Sequence, residues 1–379
     1  MQTSTKLDIF DEIGVKPVIN ARGHATVLGG ATPSGRVKEA MEAADRYYVD
    51  MRELLERSGE IIAGLLECEA AYVTPGAAAA LALGTAACIT GDDVEKMAQL
   101  PDTTGLKHKV VMQHKHQYSY QRATTIVGPK LHFVGDENGT SAEQLEAALG
   151  PDVANVLFPA HLNETPGTLR IEPVIEIARR KGVRVLIDAA GQVYPIELFK
   201  SYTKRGADLV AFGSKYFGGV NSAGILCGKK ELIDAAVPQG FIGFETVTNR
   251  KGFGRPLKLD RQEIVGVTVA LQEWMAMDHG PRLARLEQRL GTIQRQLQGL
   301  PGVTTEILHR EGSTPRQLRV GIDPAAAKRN ADAVTAGLRE GNPAIVVNPA
   351  RENGIVLTVH TVVDGDEEII ARRLRELLT

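Results

Sequence analysis

The sequence predicts an α/β protein with a mostly parallel sheet in a large domain and a smaller C-terminal α/β domain. Three short apolar runs in the middle of the chain alternate with amphipathic stretches: VANVLF (153–158), RVLID (184–188) and DLVAF (208–212). Such alternation is typical of βαβ units, in which helices connect parallel strands. The length of 379 residues also exceeds what one small core requires, so two domains are expected.

Local patterns predict the elements around these runs. EAAYVT (69–74) predicts a short strand that leads through a Pro-Gly turn into an alanine-rich helix ending near Gly91. EPVIEIARRKG (172–182) predicts a helix between the first two runs, because its apolar residues share one helical face before a terminal glycine. GILCG (224–228) follows the third run too closely for a parallel crossover, so this strand is expected to return antiparallel.

The last third of the chain predicts a long helical region, then the strand-like runs AIVVN and GIVLTVH, and a final amphipathic helix. A change of composition at RKGFGRPLKLD (250–260) is the best candidate boundary. We therefore expect an N-terminal arm at 1–35, a large domain at 36–255, and a linking helix with a small domain at 256–379.

Composition argues against several classes of protein. The formal net charge is -2, so the chain lacks the positive excess that follows a nucleic acid backbone. No run approaches the ~20 apolar residues of a membrane span, and no secretory signal opens the chain, so a cytoplasmic protein is expected. The three cysteines are widely separated and no HExxH spacing occurs, which favours buried thiols and no metal site.

A carboxylate and a lysine follow two neighbouring strands of the predicted sheet. Asp188 ends the second apolar run, and Lys215 lies just beyond the third in a turn of small residues. The carboxyl ends of parallel strands border the crevice where open α/β sheets bind ligands. Pyridoxal 5′-phosphate requires this pair, because its aldehyde forms a Schiff base with lysine and an acid keeps its ring nitrogen protonated. A solvated loop lysine and a structural aspartate are the alternatives.

The same cofactor needs a place for its phosphate, and VTPGAAAA (73–80) is suitable. Backbone N–H groups of Gly76, Ala77 and Ala78 open a predicted helix whose small side chains leave room for an anion, and Thr74 adds a hydroxyl. This stretch by itself also fits a well-packed alanine helix. Its value therefore depends on the lysine and the aspartate.

A flat side chain above the cofactor ring is expected from VVMQHKHQYSYQRA (110–123), where a strand ends among several rings. A histidine stacked on the pyridine ring would also lie near the reacting carbon, and we predict His116 for this place. The spacing does not separate His114 from His116. A hydrogen-bonded structural histidine is the alternative.

Seven stretches between residue 14 and about residue 270 carry a family resemblance, and four of them are GVKPVINARGHATVLGG (14–30), AAYVTPGAAAALAL (70–83), VRVLIDAAGQ (183–192) and GADLVAFGSKYFGGVNSAGILCG (206–228). They resemble the fold-type I enzymes that depend on pyridoxal phosphate, and among these the selenocysteine synthase-like branch that includes D-glucosaminate-6-phosphate ammonia-lyases. The likeness extends to about residue 270, and the C-terminal domain matches more loosely.

The resemblance implies the fold-type I transferase fold, with Lys215 as the Schiff-base lysine and Asp188 as the partner of the pyridine nitrogen. It also implies that Gln192 lies beside the cofactor ring and Ser214 near its phosphate. A homodimer or higher homo-oligomer is implied, with active sites at the subunit interface. Relatives often carry Arg-Gly-His or Arg-Gly-Glu at positions 114–116, a departure that leaves the substrate open.

We expect a pyridoxal-phosphate-dependent lyase that catalyses α,β-elimination on a 2-amino-3-hydroxy acid, which includes phosphorylated amino sugar acids. The products would be a 2-oxo acid and ammonia, with Lys215 as covalent anchor and base. Retro-aldol cleavage of a 3-hydroxy amino acid and racemisation or epimerisation are alternatives, because all begin from the same adduct. A non-catalytic binding protein of the same fold is a remote alternative, since both Lys215 and Asp188 are present.

Arginine suits a substrate carboxylate or phosphate, because its planar fork donates two parallel hydrogen bonds. We predict Arg22, in INARGHAT, and Arg351, in NPARENG, as substrate-binding residues. His360 and Asn163 are weaker candidates. The small-molecule substrate is expected to be an anion larger than serine.

Overall fold

The computed structural model describes residues 9–246, 252–308 and 317–379. The chain divides into two compact units, one of Ala31–Met277 and one that joins Met1–Gly30 to Asp278–Thr379. The described strands are β1 (Val18–Asn20), β2 (Ala70–Thr74), β3 (Lys109–Gln113), β4 (Lys130–Val134), β5 (Val153–Pro159), β6 (Arg184–Asp188), β7 (Leu209–Gly213), β8 (Gly224–Gly228), β9 (Val303–Leu308), β10 (Gln317–Ile322), β11 (Ala344–Val346), β12 (Asn348–Ala350) and β13 (Gly354–Thr358).

Helices of both units are numbered in chain order. The described α-helices are α1 (Ile9–Glu12), α2 (Gly35–Asp45), α3 (Met51–Leu66), α4 (Gly76–Thr90), α5 (Val94–Gln99), α6 (Ala142–Ala148), α7 (Ile171–Arg180), α8 (Ile196–Lys204), α9 (Lys230–Ala236), α10 (Phe241–Thr246), α11 (Arg261–Ala276), α12 (His279–Leu297), α13 (Pro324–Ala327), α14 (Ala331–Glu340) and α15 (Asp366–Leu378). None of the described helices has the length and apolar composition that a membrane span requires.

The larger unit is built on a seven-stranded sheet of order β2-β8-β7-β6-β5-β3-β4. Strand β8 runs antiparallel to both of its neighbours, β2 and β7, and the remaining pairs are parallel. The predicted βαβ unit and the predicted antiparallel return of 224–228 are both confirmed. Strands β2, β6 and β7 therefore end at the same edge of the sheet, where open α/β sheets bind their ligands.

Helix α4 lies against this sheet and is buried along most of its length. A helix that is apolar on all sides is stable only when it is enclosed on all sides. Gly84 permits the close approach, because a Cβ there would lie 3.2–3.3 Å from the side chains of Leu186, Leu209 and Leu226. The first turn of α4 is thereby positioned at the edge where β2 ends.

The smaller unit contains a four-stranded sheet of order β12-β13-β10-β9 and a separate parallel pair of β1 with β11. The run AIVVN is divided between these two sheets, with β11 paired to β1 and β12 paired to β13. Pairing of Val18 with Ala344 attaches the N-terminal segment to this unit. The domain limits drawn from the sequence stay a prediction. In the structure, the N-terminal residues to Gly30 group with the C-terminal residues, and α11 groups with the larger unit.

Candidate active site

Three strand ends bring the predicted cofactor-binding residues to one edge of the seven-stranded sheet. Asp188 is the last residue of β6 and is paired in register with Ala211 of the neighbouring β7. Lys215 lies two residues beyond the end of β7, in a short 3₁₀ turn over Ser214–Phe217. Thr74 is the last residue of β2 and precedes the first turn of α4.

Asp188 is a buried carboxylate with two hydrogen-bond donors, and only 5% of its surface is exposed. Its Oδ1 atom accepts from the backbone N–H of Ala190 at 3.1 Å, and its Oδ2 atom accepts from the hydroxyl of Tyr118 at 2.5 Å. Burial raises the pKa of Asp188, while the hydrogen bond from Tyr118, the one from Ala190 and the nearby His161 oppose this rise. Such a group can hold a negative charge opposite a cationic ring nitrogen.

Lys215 is half-buried, and burial lowers the pKa of its amine below the ordinary value. Its Nζ atom lies 5.4 Å from the centre of the Tyr216 ring. That ring packs over Gly191 and Gly213, where an added Cβ would come within 3.2 and 3.1 Å of ring carbons. A lysine whose proton affinity is lowered supplies the neutral amine that attack on an aldehyde requires.

The first turn of α4 forms a cradle lined by backbone. The N-cap residue Pro75 supplies no side-chain hydrogen bond, and Gly76 has a φ of 78°. A Cβ on Gly224 would lie 2.6 Å from the carbonyl carbon of Gly76 and 2.8 Å from the backbone nitrogen of Ala77, so only glycine fits there. Backbone N–H groups at the start of a helix are suitable donors for a phosphate.

The two hydroxyls predicted beside this cradle are buried and already engaged with the backbone. Thr74 donates to the carbonyl of Gly76 at 3.0 Å, and Ser214 donates to the carbonyl of Val220. The hydroxyl of Thr74 therefore stiffens the turn that carries the N–H groups, and the hydroxyl of Ser214 stiffens the turn that carries Lys215. Ala77 and Ala78, also predicted here, occupy the first turn of α4.

His116, which was predicted to stack on the cofactor ring, lies among protein groups. The side chain is fully buried, with Nδ1 3.3 Å from the amide nitrogen of Gln113, Nε2 3.1 Å from the hydroxyl of Thr168, and the ring edge against Phe158. Burial lowers the pKa of His116 to about 4. Protein groups thus contact both ring nitrogens, and stacking of His116 on the cofactor stays a prediction. The Nε2 atom of His114 lies 3.0 Å from the Oε1 atom of Glu137.

Tyr118 and His161 are aromatic residues near Asp188, and neither was predicted as a site residue. Their ring centres are 5.5 Å apart, and Tyr118 donates to the carboxylate. His161 lies two residues beyond the end of β5, which neighbours β6. The strand-end rule that identified Asp188 could have identified His161 as well. Tyr118 belongs to the group of rings after β3 from which His116 was predicted, but the irregular turn there gave no reason to select Tyr118.

The remaining predicted residues of the larger unit hold local structure. The Oδ1 atom of Asn163 accepts from the backbone N–H of Ile171 at 2.9 Å, and its Nδ2 atom donates to Glu164 at 2.6 Å. Asn163 thus closes the start of α7. Gln192 lies in the turn after Asp188, where its backbone N–H donates to the carbonyl of Ala189 at 2.9 Å.

Arg22, Arg351 and His360 belong to the smaller unit. Arg22 and Arg351 have exposed side chains, and the carbonyl of Arg22 accepts from Asn348 at 3.0 Å. The His360 ring lies 4.0 Å from that of His24, and within the described residues its buried ring nitrogens have no hydrogen-bond partner. Burial holds the pKa of His360 well below its usual range, and the nearby His24 adds to this effect.

An amine of lowered pKa, a buried carboxylate and a helix start lined by glycine fit pyridoxal 5′-phosphate. Its aldehyde, ring nitrogen and phosphate require these three kinds of group. Among the described residues, no cluster of histidine, cysteine or acidic side chains could hold a metal ion. The fold and the site therefore define a pyridoxal-phosphate-dependent enzyme.

Comparison with known proteins gives the family. The model of the aminotransferase class-V family matches residues 106–356, and the chain belongs to this family. It is 29% identical over 381 residues to a 5′-C-glycyluridine monooxygenase-decarboxylase of Streptomyces sp, covering 97% of this chain and 92% of the relative. It is 28% identical over 379 residues to the D-glucosaminate-6-phosphate ammonia lyase of Salmonella typhimurium, covering 98% of each.

Two further similarities concern fold and branch. A solved structure of D-glucosaminate-6-phosphate ammonia-lyase superposes with a TM-score of 0.85 at 27% identity, covering 99% of both chains. An L-seryl-tRNA(Sec) selenium transferase of Moorella thermoacetica is 24% identical over 415 residues, covering 96% of this chain and 82% of the relative. The predicted family resemblance, fold class, cofactor and enzyme class, a pyridoxal-phosphate-dependent lyase, are confirmed.

Proposed function

We propose that this chain catalyses α,β-elimination on a 2-amino-3-hydroxy acid and releases a 2-oxo acid and ammonia. The observation that carries the proposal is the pairing of a buried carboxylate, Asp188, with an amine of lowered pKa, Lys215, at one edge of the sheet. Similarity over nearly the whole length to a D-glucosaminate-6-phosphate ammonia lyase favours elimination as the reaction.

The residues at this edge of the sheet would each contact a different part of the cofactor or substrate. When bound, pyridoxal phosphate supplies an electron sink for the charge that develops at the substrate Cα. Asp188 would hold a proton on the ring nitrogen, and the N–H groups of Gly76 and Ala77 would hold the phosphate. The Nζ atom of Lys215, whose pKa is lowered by burial, would accept the Cα proton.

The reaction requires no reactant other than the substrate and water. The Cα–H bond breaks with transfer of its proton to Lys215, and the Cβ–O bond breaks with departure of the hydroxyl as water. The resulting enamine tautomerises and is hydrolysed, which releases ammonia and leaves a 2-oxo acid of unchanged carbon number. An amine that has just accepted a proton is also placed to protonate the leaving hydroxyl.

We further propose an anionic substrate that carries a distal phosphate, as the name of the ammonia-lyase relative suggests. The candidates for binding this distal phosphate are the cationic residues Arg22, Arg255, Lys258 and Arg351. Arg255 is already paired with Glu245 at 2.8 Å, whereas Arg22 and Arg351 have exposed side chains. A distal anion would supply binding energy that orients the Cα–H bond, so its loss should reduce the rate as well as the affinity.

We also propose that the chain acts as a homodimer or higher oligomer in the cytoplasm. Tyr47 and Tyr48 are 71% and 94% exposed, and Val49 extends this apolar segment between α2 and α3. An exposed segment of this kind favours a protein interface over contact with water. The cysteines Cys68, Cys88 and Cys227 are unpaired, in keeping with a reducing compartment.

The test compares four substrates with the purified holoenzyme: D-glucosaminate 6-phosphate, D-glucosaminate, D-serine and D-threonine. Ammonia and 2-oxo acid are measured together, with the Lys215→Ala protein as the control for reactions on free cofactor. We expect the phosphorylated acid to give the highest kcat/KM. Equal turnover of D-serine would contradict the distal anion, and an aldehyde with glycine from D-threonine would replace elimination with aldol cleavage.

A further inference from the structure

Tyr118 makes a short contact with the carboxylate of Asp188. Its hydroxyl donates to the Oδ2 atom of Asp188 at 2.5 Å, while the other carboxylate oxygen accepts from the backbone N–H of Ala190 at 3.1 Å. The two donors lie on different oxygens, so together they restrict rotation of the carboxylate about its Cβ–Cγ bond. The orientation of Asp188 is thus set by one side chain and one backbone group.

Tyr118 is held in place by contacts that do not involve Asp188. Its backbone N–H donates to the side chain of Gln121 at 3.0 Å, in a reciprocal cap on the 3₁₀ turn Ser119–Val127. Its ring centre lies 5.5 Å from that of His161 and 6.2 Å from that of Tyr120. The hydroxyl is therefore presented by a side chain whose position is fixed beforehand, which limits the entropy lost when the hydrogen bond forms.

Charge and burial determine which partner of this hydrogen bond keeps the proton. Burial raises the pKa of Asp188 and thus favours its neutral form, and the hydrogen bond from Tyr118 is the foremost effect that opposes burial. Burial and the neighbouring carboxylate raise the pKa of Tyr118, so the phenol keeps its proton and remains a donor. Removal of the hydroxyl would leave a buried carboxylate with one donor fewer, and its proton affinity would increase.

We propose that Tyr118 is a positioning residue for cofactor binding, which orients Asp188 and keeps it ionised so that it can hold a proton on the ring nitrogen of pyridoxal phosphate. The proposal uses the cofactor dependence of the family and does not require elimination to be the reaction. Tyr118 acts through Asp188, so its effect must vanish when Asp188 cannot ionise.

The test is a double-mutant cycle of Tyr118→Phe and Asp188→Asn, read out as the equilibrium affinity for pyridoxal phosphate in the absence of substrate. Tyr118→Phe removes one hydroxyl and preserves the ring, so far-ultraviolet circular dichroism is expected to be unchanged. We expect Tyr118→Phe to weaken cofactor binding about tenfold, the usual effect of a hydrogen bond to a charged group. In the Asp188→Asn background the same change should alter affinity less than about twofold.

Tyr120→Phe is the matched control, because Tyr120 is 68% exposed and Asp188 accepts its hydrogen bonds from Tyr118 and Ala190. A second readout is the pH dependence of the visible absorbance of the bound cofactor, which should shift in Tyr118→Phe and not in Tyr120→Phe. Equal losses of affinity in both Asp188 backgrounds would overturn the proposal and assign Tyr118 a packing role. Wild-type affinity in Tyr118→Phe would overturn it as well.

Discussion

At the scale of single residues, burial acts on the two ionisable groups of the site in opposite directions. Removal from water penalises the charged form, so it raises the pKa of Asp188 and lowers that of Lys215. The hydrogen bonds at Asp188 then oppose the rise of its pKa, whereas burial lowers the pKa of Lys215. The pKa of Asp188 is raised overall, with its hydrogen bonds limiting the rise, and the pKa of Lys215 is lowered in the direction that favours a nucleophilic amine.

Lys215→Ala is expected to abolish covalent attachment of the cofactor and to lower kcat by at least about a thousandfold, because one amine would serve as anchor and base. Borohydride reduction followed by peptide mapping should place the pyridoxyl group of the wild-type protein on Lys215. Lys230→Ala is the control, since that amine is paired with Asp234 on the surface. A label on Lys229 or Lys230 would contradict the assignment.

His116 predicts a pH dependence of stability. Its pKa is about 4 in the folded protein, because it is buried, and about 6.5 when unfolded. The unfolded chain therefore binds a proton first, so stability from neutral His116 is complete above about pH 6.5 and is lost as the pH falls toward 4. The loss is on the order of 3 kcal/mol by linkage.

Urea unfolding between pH 7 and pH 4 measures this dependence. His116→Gln should show a smaller fall in the free energy of unfolding than the wild type does, and His132→Gln, at an exposed position, should follow the wild type. Retention of cofactor by His116→Gln would support a structural role. Loss of cofactor without loss of stability would instead support the stacking role predicted from the sequence.

At the scale of elements, the phosphate cradle depends on close contact between the start of β8 and the first turn of α4. The contact is made by backbone on both sides, because Gly76 has a positive φ and Gly224 has no room for a Cβ. Strands β2 and β8 pair at this point, with Thr74 opposite Gly224. The position of α4 and the pairing of β2 with β8 therefore depend on each other.

Gly224→Ala is expected to lower the free energy of unfolding by about 1 to 3 kcal/mol, the usual effect of overpacking, and to weaken cofactor binding. The added Cβ would lie 2.5 Å from the carbonyl oxygen of Phe212 and 2.6 Å from Gly76, both of which are backbone and cannot rotate away. Thermal unfolding and cofactor titration measure the two effects. Gly64→Ala, where no atom lies within 4 Å of the new Cβ, is the control.

If Gly224→Ala unfolds and binds cofactor as the wild type does, the backbone contact does not shape the cradle. A loss of cofactor affinity without any loss of stability would localise the effect to the first turn of α4. Gly64→Ala is expected to unfold at or slightly above the wild-type temperature, because alanine favours the helix over glycine by up to about 1 kcal/mol.

At the scale of the whole molecule, the exposed Tyr47 and Tyr48 predict association. Two neighbouring tyrosines with most of their surface in water are unusual unless a partner covers them. Light scattering should give the mass of at least two chains, and the double variant Tyr47→Ser, Tyr48→Ser should shift the equilibrium toward the monomer. Val363→Ser, at an isolated exposed apolar residue, should leave the mass unchanged. A wild-type monomer would contradict the proposal.

The sequence by itself determined most strands of the larger sheet and the positions of Asp188 and Lys215 at the ends of two of them. These features depend on local information, since the apolar runs, the helical face of α7 and the short connection before β8 are all read within a few residues. Parallel strands share an edge by geometry, so two residues that end neighbouring strands must lie close together. The resemblance to pyridoxal-phosphate enzymes added the chemical meaning of this pair.

Only the tertiary structure decided which ring meets Asp188. Residues 114–116 and 119–127 form 3₁₀ turns, in which side chains do not continue the alternation of the preceding strand. His116 is therefore buried, whereas the hydroxyl of Tyr118 contacts the carboxylate of Asp188. Asn163 was likewise taken up by the start of α7, eight residues later. The N-terminal segment joined the C-terminal unit through pairing of Val18 with Ala344. Contacts between residues far apart in sequence leave no local pattern, because they arise only when the chain has folded.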